Sequence, residues 1–254
     1  MTIYIDVVII ENLIMNYIIL YDGSLDNLLS TIKYLFKEKI KPINIVNEIE
    51  YVPNLLDYSL KPDIKDDVLE INNKKAFKII YYIYLSNYVK KELLIYYFLL
   101  NYFIYKNKIF NHRNLKCVNK ALDVEHKVAR EAHLLKGFIR FKLINNKFLY
   151  AKIKPDNNVL ILLSNHFAKR LKNEYWVIED EKNNLLSIYD KHNFYVIAKN
   201  NIKLDLNGDD VKWSSLWKTF FNTITIKERE NRKCQRNFMP KKYWKNIIEM
   251  EDEL

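Results

Sequence analysis

Only three of the 254 residues are glycine and five are proline. A chain with so few residues that adopt positive φ or break regular structure can make few tight turns. That argues against Gly-rich phosphate loops, dinucleotide-binding fingerprints and turn-rich all-β folds. Hydrophobic residues make up 49% and charged residues 28%. Such a balance supports a sizeable core and not a disordered chain. Two cysteines, Cys117 and Cys234, fit a reducing compartment and exclude a zinc-ribbon site. No metal and no cofactor is expected, and the expected location is cytoplasmic.

Charge is unevenly placed. Residues 1–105 carry 11 basic and 13 acidic side chains, residues 106–172 carry 16 and 4, and residues 173–254 carry 14 of each. The central block is therefore strongly basic, as a surface for a polyanion would be. All seven arginines lie from residue 113 onward. In a chain that uses lysine so heavily, an arginine can mark a place that wants a planar, bidentate donor.

The apolar segment Met1–Leu20 is interrupted by Asp6, Glu11, Asn12 and Asn16. It reads as a membrane segment, as a fused or spurious start, or as the strand and helix that precede the domain. Beyond it, Ile18–Tyr21 reads as a strand end and Ser24 as the N-cap of a helix to about Lys37. Pro42–Val46 is a short strand, and Val52–Asp67, broken by two prolines, is a loop. Ala76–Tyr105 reads as two helices divided near residues 86–91. His112–Lys136 is a long amphipathic helix stopped by Gly137. Phe138–Leu143 and Phe148–Lys154 alternate as a hairpin about Asn145-Asn146. A helix at Val159–Leu171 follows, then strands at 175–179, 185–189 and 194–198 and helices at 213–226 and 241–249. The expected fold is α+β: a helical N-terminal half, an antiparallel sheet with a basic hairpin, and C-terminal helices.

Three constellations carry chemistry. A three-residue hairpin turn puts Phe138, Arg140, Lys142, Phe148, Tyr150, Lys152 and Lys154 on one face, where rings and cations suit base stacking and phosphate neutralisation; the other reading covers that face with a helix. On the long helix, Arg130 and His133 share a face, and Glu131 points about 100° away from Arg130. Arg130, Glu131 and His133 form either a rigid polar core or an acid–base set, with His166 a further candidate. His166 and Arg170 lie four apart on one helix. Finally, residues 216–244 mix Arg229, Asn231 and other polar groups with aromatic residues.

Tyr21-Asp22-Gly23-Ser24, Val128-x-Arg130-Glu131-Ala132-His133-x-x-x-Gly137-Phe138-x-Arg140-Phe141 and Tyr150-Ala151-x-Ile153-x-Pro155-Asp156 resemble a bacterial family linked to DNA metabolism or repair, the domain of unknown function 4130. His166-Phe167-x-x-Arg170, Trp176-x-Ile178-x-Asp180, Leu216-Trp217-Lys218, Ile226-x-x-Arg229-x-Asn231 and Met239-Pro240-x-x-Tyr243-Trp244 continue the resemblance across residues 21–249. It implies a DNA-repair context and a radical-SAM partner protein, and a similar domain is fused to a uracil-DNA glycosylase-like domain. Met1–Leu20 separately resembles the first membrane segment of a sporulation sigma-factor processing peptidase, but no Asp-Ser/Thr-Gly catalytic turn is present.

The domain boundary is therefore expected at 20/21, with one α+β domain over 21–254. The expected function is DNA binding or repair beside a radical-SAM partner. Arg130, Arg140, Arg170, Arg229, Asn231, Lys142 and Lys152 would meet phosphates or bases, and Phe138 and Tyr150 would stack. The alternatives are a nuclease- or glycosylase-like hydrolase using Glu131 and His133, and a membrane-anchored sporulation protein.

Overall fold

The computed structural model describes residues 17–55, 57–64, 68–144, 147–199, 219, 223, 231–247 and 250. The chain divides into two compact units, one up to Val128 and the other from Ala129 on.

The first unit is built on β1 (Tyr17–Tyr21), the middle strand of a parallel sheet in the order β2-β1-β3, with β2 at Pro42–Asn47 and β3 at Tyr58–Leu60. The expected helical half thus contains a sheet, and β3 lies inside the expected loop. Its three residues fall short of any periodic signal. After β1 the chain turns at Gly23, whose φ of +91° favours glycine. A Cβ there would come within 2.6 Å of Asn47 Nδ2. Ser24 then caps α1 (Leu25–Lys37), its hydroxyl accepting from the Asn27 amide at 3.2 Å. Leu28, Leu29, Ile32 and Leu35 form the buried stripe of α1. Each fully buried side chain of this kind contributes about 1.5–3 kcal/mol. α2 (Lys74–Leu85), α3 (Lys91–Tyr105) and the N-terminal half of α4 (Lys116–Phe138) complete this core. The two helices expected over 76–105 are present, parted at residues 86–90.

β1 crosses the expected boundary at 20/21. That cut removes four of its five residues, among them the fully buried Ile19. The rest of Met1–Leu20, residues 1–16, lies outside the described residues. Among the described residues, no helix is long and apolar enough to cross a membrane.

The second unit carries a five-stranded sheet in the order β4-β5-β6-β7-β8, at Lys142–Ile144, Phe148–Ile153, Trp176–Asp180, Leu185–Tyr189 and Phe194–Ala198. The meander β6-β7-β8 is antiparallel as expected, but β5 and β6 run parallel, joined through α5 (Leu160–Arg170). The sheet is therefore mixed. Ile144 pairs with Phe148 and Leu143 with Leu149, the alignment a three-residue connection requires. On one face Ser164 of α5 bonds Ser187 at 2.7 Å, and Trp176 stacks on Tyr189. On the other, Ile144, Tyr150, Val177 and Leu186 form a second small core.

Gly137 does not stop α4. The helix runs on to Phe138, the Ile139 amide bonds the Leu135 carbonyl, and Arg140 Nη1 caps the Gly137 carbonyl at 2.8 Å. The first hairpin strand shrinks accordingly to Lys142–Ile144. The C-terminal part contributes α6 (Arg232–Phe238), which was not expected, and a 3-10 helix, Lys241–Asn246, in place of the expected helix 241–249. The helix expected at 213–226 lies outside the described residues.

Candidate functional site

Val128, Ala132 and Leu135 set the buried side of α4, and Glu131 shares it, 5% exposed. A carboxylate is costly to bury unless its oxygens are filled. Here Oε1 accepts from the Asp156 amide at 2.7 Å and the Tyr243 hydroxyl at 3.2 Å. Oε2 accepts from the Asn157 amide at 2.9 Å and from its side-chain amide at 2.7 Å. Lys242 Nζ lies 3.6 Å from Oε1 and also bonds Asp156. Burial works against the Lys242 ammonium, but Asp156, Tyr243 and Glu131 outweigh it and hold its pKa above the usual lysine value. Burial, aided by the Glu131 carboxylate and opposed by Lys242, pushes Tyr243 up to about 12. The network thus ties the end of α4, the loop after β5 and the C-terminal 3-10 helix together.

Beside this network opens a cleft of about 280 Å³, part of it open solvent. Leu135, Phe138 and Ile139 line it from α4. Lys152, Ile153 and Lys154 line it from the end of β5, and Lys242, Tyr243 and Asn246 from the 3-10 helix. The Phe138 and Tyr243 rings pack at 5.6 Å. Lys152 bonds Glu181 at 3.0 Å. That bond, with Lys154 and Lys245 close by, holds the Glu181 carboxyl below its usual pKa. Lys182 donates to the Asp156 carbonyl at 3.1 Å. Five lysines therefore surround three carboxylates, Glu131, Asp156 and Glu181. Among the described residues Lys154 and Lys245 have no carboxylate in ion-pair contact.

The family model of DUF4130, a domain of unknown function, matches residues 89–249. The chain belongs to the DUF4130 family. No curated protein and no solved structure matches it. The matched DUF4130 region contains both the carboxylate network and the cleft, while Tyr21-Asp22-Gly23-Ser24 lies before it.

The expected site residues scatter relative to the cleft. Phe138 and Lys152 line it. Arg130 and His133 are both exposed on α4, on a different side from buried Glu131, so Glu131 and His133 do not converge. Arg140 is half-buried at the end of α4. Lys142 is half-buried at the start of β4, opposite Tyr150. Arg170 is exposed in the last turn of α5. His166 is half-buried, and its Nε2 has no hydrogen-bond partner among the described residues. Burial, with Lys136 and Arg170 nearby, lowers its pKa. Asn231 caps α6, its side chain accepting from the Cys234 amide at 2.9 Å. Arg229 lies outside the described residues.

Tyr150 corrects the expected open stacking face. Its ring is 7% exposed in the small core, and its hydroxyl donates to Glu179. As an interior strand between β4 and β6, β5 has paired neighbours on both sides, and Tyr150 and Ala151 are buried on its two faces while Lys152 stays exposed. A hairpin read in isolation cannot show the third strand. Lys245 and Asn246 were absent from the expected site, Lys154 entered it only as part of the hairpin face, and Lys242 and Tyr243 only within the stretch 216–244. The only signal was the pairing of Pro155-Asp156 with Tyr243-Trp244 in one resemblance, since no local spacing links Glu131 to a tyrosine 112 residues away.

Proposed function

We propose that this DUF4130 protein binds DNA through the basic cleft and works in DNA metabolism or repair beside a radical-SAM partner protein. The observation that carries the binding reading is the gathering of Lys152, Lys154 and Lys245 around one carboxylate, Glu181, with Lys152 and Lys154 lining the cleft. Such a concentration of like charge is unfavourable in the free protein and is relieved by phosphates. The strongly basic block at residues 106–172 supports the same reading. The partner rests on the family resemblance alone, and co-elution of a co-expressed radical-SAM neighbour would test it. The alternative hydrolase has less support, because Glu131 already accepts four hydrogen bonds and His133 does not face it.

Binding is tested by fluorescence anisotropy of labelled oligonucleotides. With three phosphate contacts the affinity falls about 40-fold as salt rises from about 50 to about 200 mM. A Lys154→Ala/Lys245→Ala variant weakens binding and flattens that dependence by about two contacts. Salt-independent binding, or none at low salt, contradicts the proposal.

A further inference from the structure

We propose that the cleft is a subsite for a phosphate monoester, the dianionic end of a nucleotide, with Phe138 as the wall against which the attached base lies. The inference rests on the DNA-binding reading above and deepens it. Three observations lead to it. First, the excess of lysines over carboxylates around the cleft is two charges, and the two lysines that have no carboxylate partner among the described residues, Lys154 and Lys245, are the ones free to turn to a ligand. A phosphate monoester carries about −1.5 to −2 at neutral pH, whereas a backbone diester carries one negative charge. Second, the donors are held in place before any ligand arrives. Lys152 is anchored by Glu181, and Lys242 by Asp156 and the buried Glu131. Each ammonium has three protons, so such anchoring leaves donors for an anion. The Asn246 side chain adds an amide at the same wall. Third, the enclosed part of the cleft has room for about one water-sized group, so it can seat an anionic head and not a duplex, the rest of a ligand lying outside it. Its apolar wall is the half-buried Phe138 ring, braced by Tyr243 at 5.6 Å. An aromatic face beside clustered cations is how an unpaired base and its phosphate are held together.

Two sources offer this chemistry, a free nucleotide and the end of a DNA strand, and one set of competition measurements separates them. A labelled single-stranded oligonucleotide is bound with a 5′-phosphate, with a 3′-phosphate and with hydroxyl ends. A circular strand of the same composition, dTMP, thymidine and inorganic phosphate serve as competitors. At moderate salt we expect one phosphorylated end to bind about tenfold or more tightly than the hydroxyl-ended strand. Lys154→Ala/Lys245→Ala abolishes that preference, and Lys154→Arg keeps most of it. Phe138→Leu, which preserves an apolar wall, costs about fivefold or more in the phosphorylated strand. Unchanged melting temperatures show that the variants remain folded. Competition by dTMP but not thymidine, with no preference among strand ends, assigns the subsite to a free nucleotide. If hydroxyl-ended, phosphorylated and circular strands bind alike and dTMP does not compete, the monoester subsite is wrong while DNA binding stands. Binding of dTMP with no strand bound at low salt overturns the DNA reading and keeps the subsite. No binding by any of these removes both.

Discussion

Glu131 and its neighbours on α4 separate a residue that organises from residues that are merely displayed. Replacing Glu131 by alanine strips acceptors from two backbone amides, Asn157 and Tyr243, and leaves Lys242 without its buried counter-charge. A loss of about 3–5 kcal/mol is expected. Arg130→Ala and His133→Ala, at exposed positions, are expected to shift stability by less than about 1 kcal/mol. Urea melts of the three variants check this, and equal losses in all three would contradict it. Glu179 makes a second such case. Burial raises its pKa, but Lys199 and Tyr150, both donating to it, outweigh burial and bring it below its ordinary value of 4.5. A depressed folded pKa means stability that is present above that ordinary value and is lost as pH falls through the folded one. Melting temperature should therefore drop on acidification below about pH 4.5, and Glu179→Gln should flatten that drop. A variant that falls as steeply as the parent would place the acid sensitivity elsewhere.

Among the elements, the two described glycines make opposite statements. Gly23 turns the chain from β1 into α1 at positive φ, with Asn47 against the place of a Cβ. Gly137 lies inside α4 with nothing within 4 Å of that place. Gly23→Ala should therefore destabilise by about 1–2 kcal/mol. Gly137→Ala should stabilise by up to about 1 kcal/mol, since alanine is the better helix former. A Gly137→Ala variant that melts lower would restore Gly137 to the cap that its position in the sequence suggests. The β4–β5 hairpin carries a related lesson. Its alternation left the register to the length of the turn, and the three-residue connection present is the one that aligns the faces of the two strands. Which face met solvent depended on β6, which arrives through α5 and left no mark on the hairpin's own pattern.

At the scale of the molecule, each compact unit has its own sheet, and the division falls within α4. The matched DUF4130 region starts at Val89, after the first unit's sheet. β1 is the strand on which β2 and β3 both pair. Removing residues 1–20 therefore takes away most of the strand that joins them, and the truncated protein should lose the cooperative melt of its first unit or aggregate. Circular dichroism and size-exclusion chromatography report this. A soluble truncation with an unchanged melt would show that β1 is dispensable.

What the sequence determined by itself was local. The apolar stripe of α1, its Ser24 cap, the pair α2 and α3, and strands β7 and β8 follow from periods of 3.6 and 2 and from capping chemistry, which act over a few residues. The α+β class and the DUF4130 membership were legible for the same reason, as patterns along the chain. Tertiary structure alone decided that β1 is central, that β5 is interior, and that Glu131 is met by Asp156, Asn157, Lys242 and Tyr243. These depend on which distant segments pack together. A buried carboxylate is stable only when donors from those segments reach both its oxygens, and no spacing of residues along one helix contains that information.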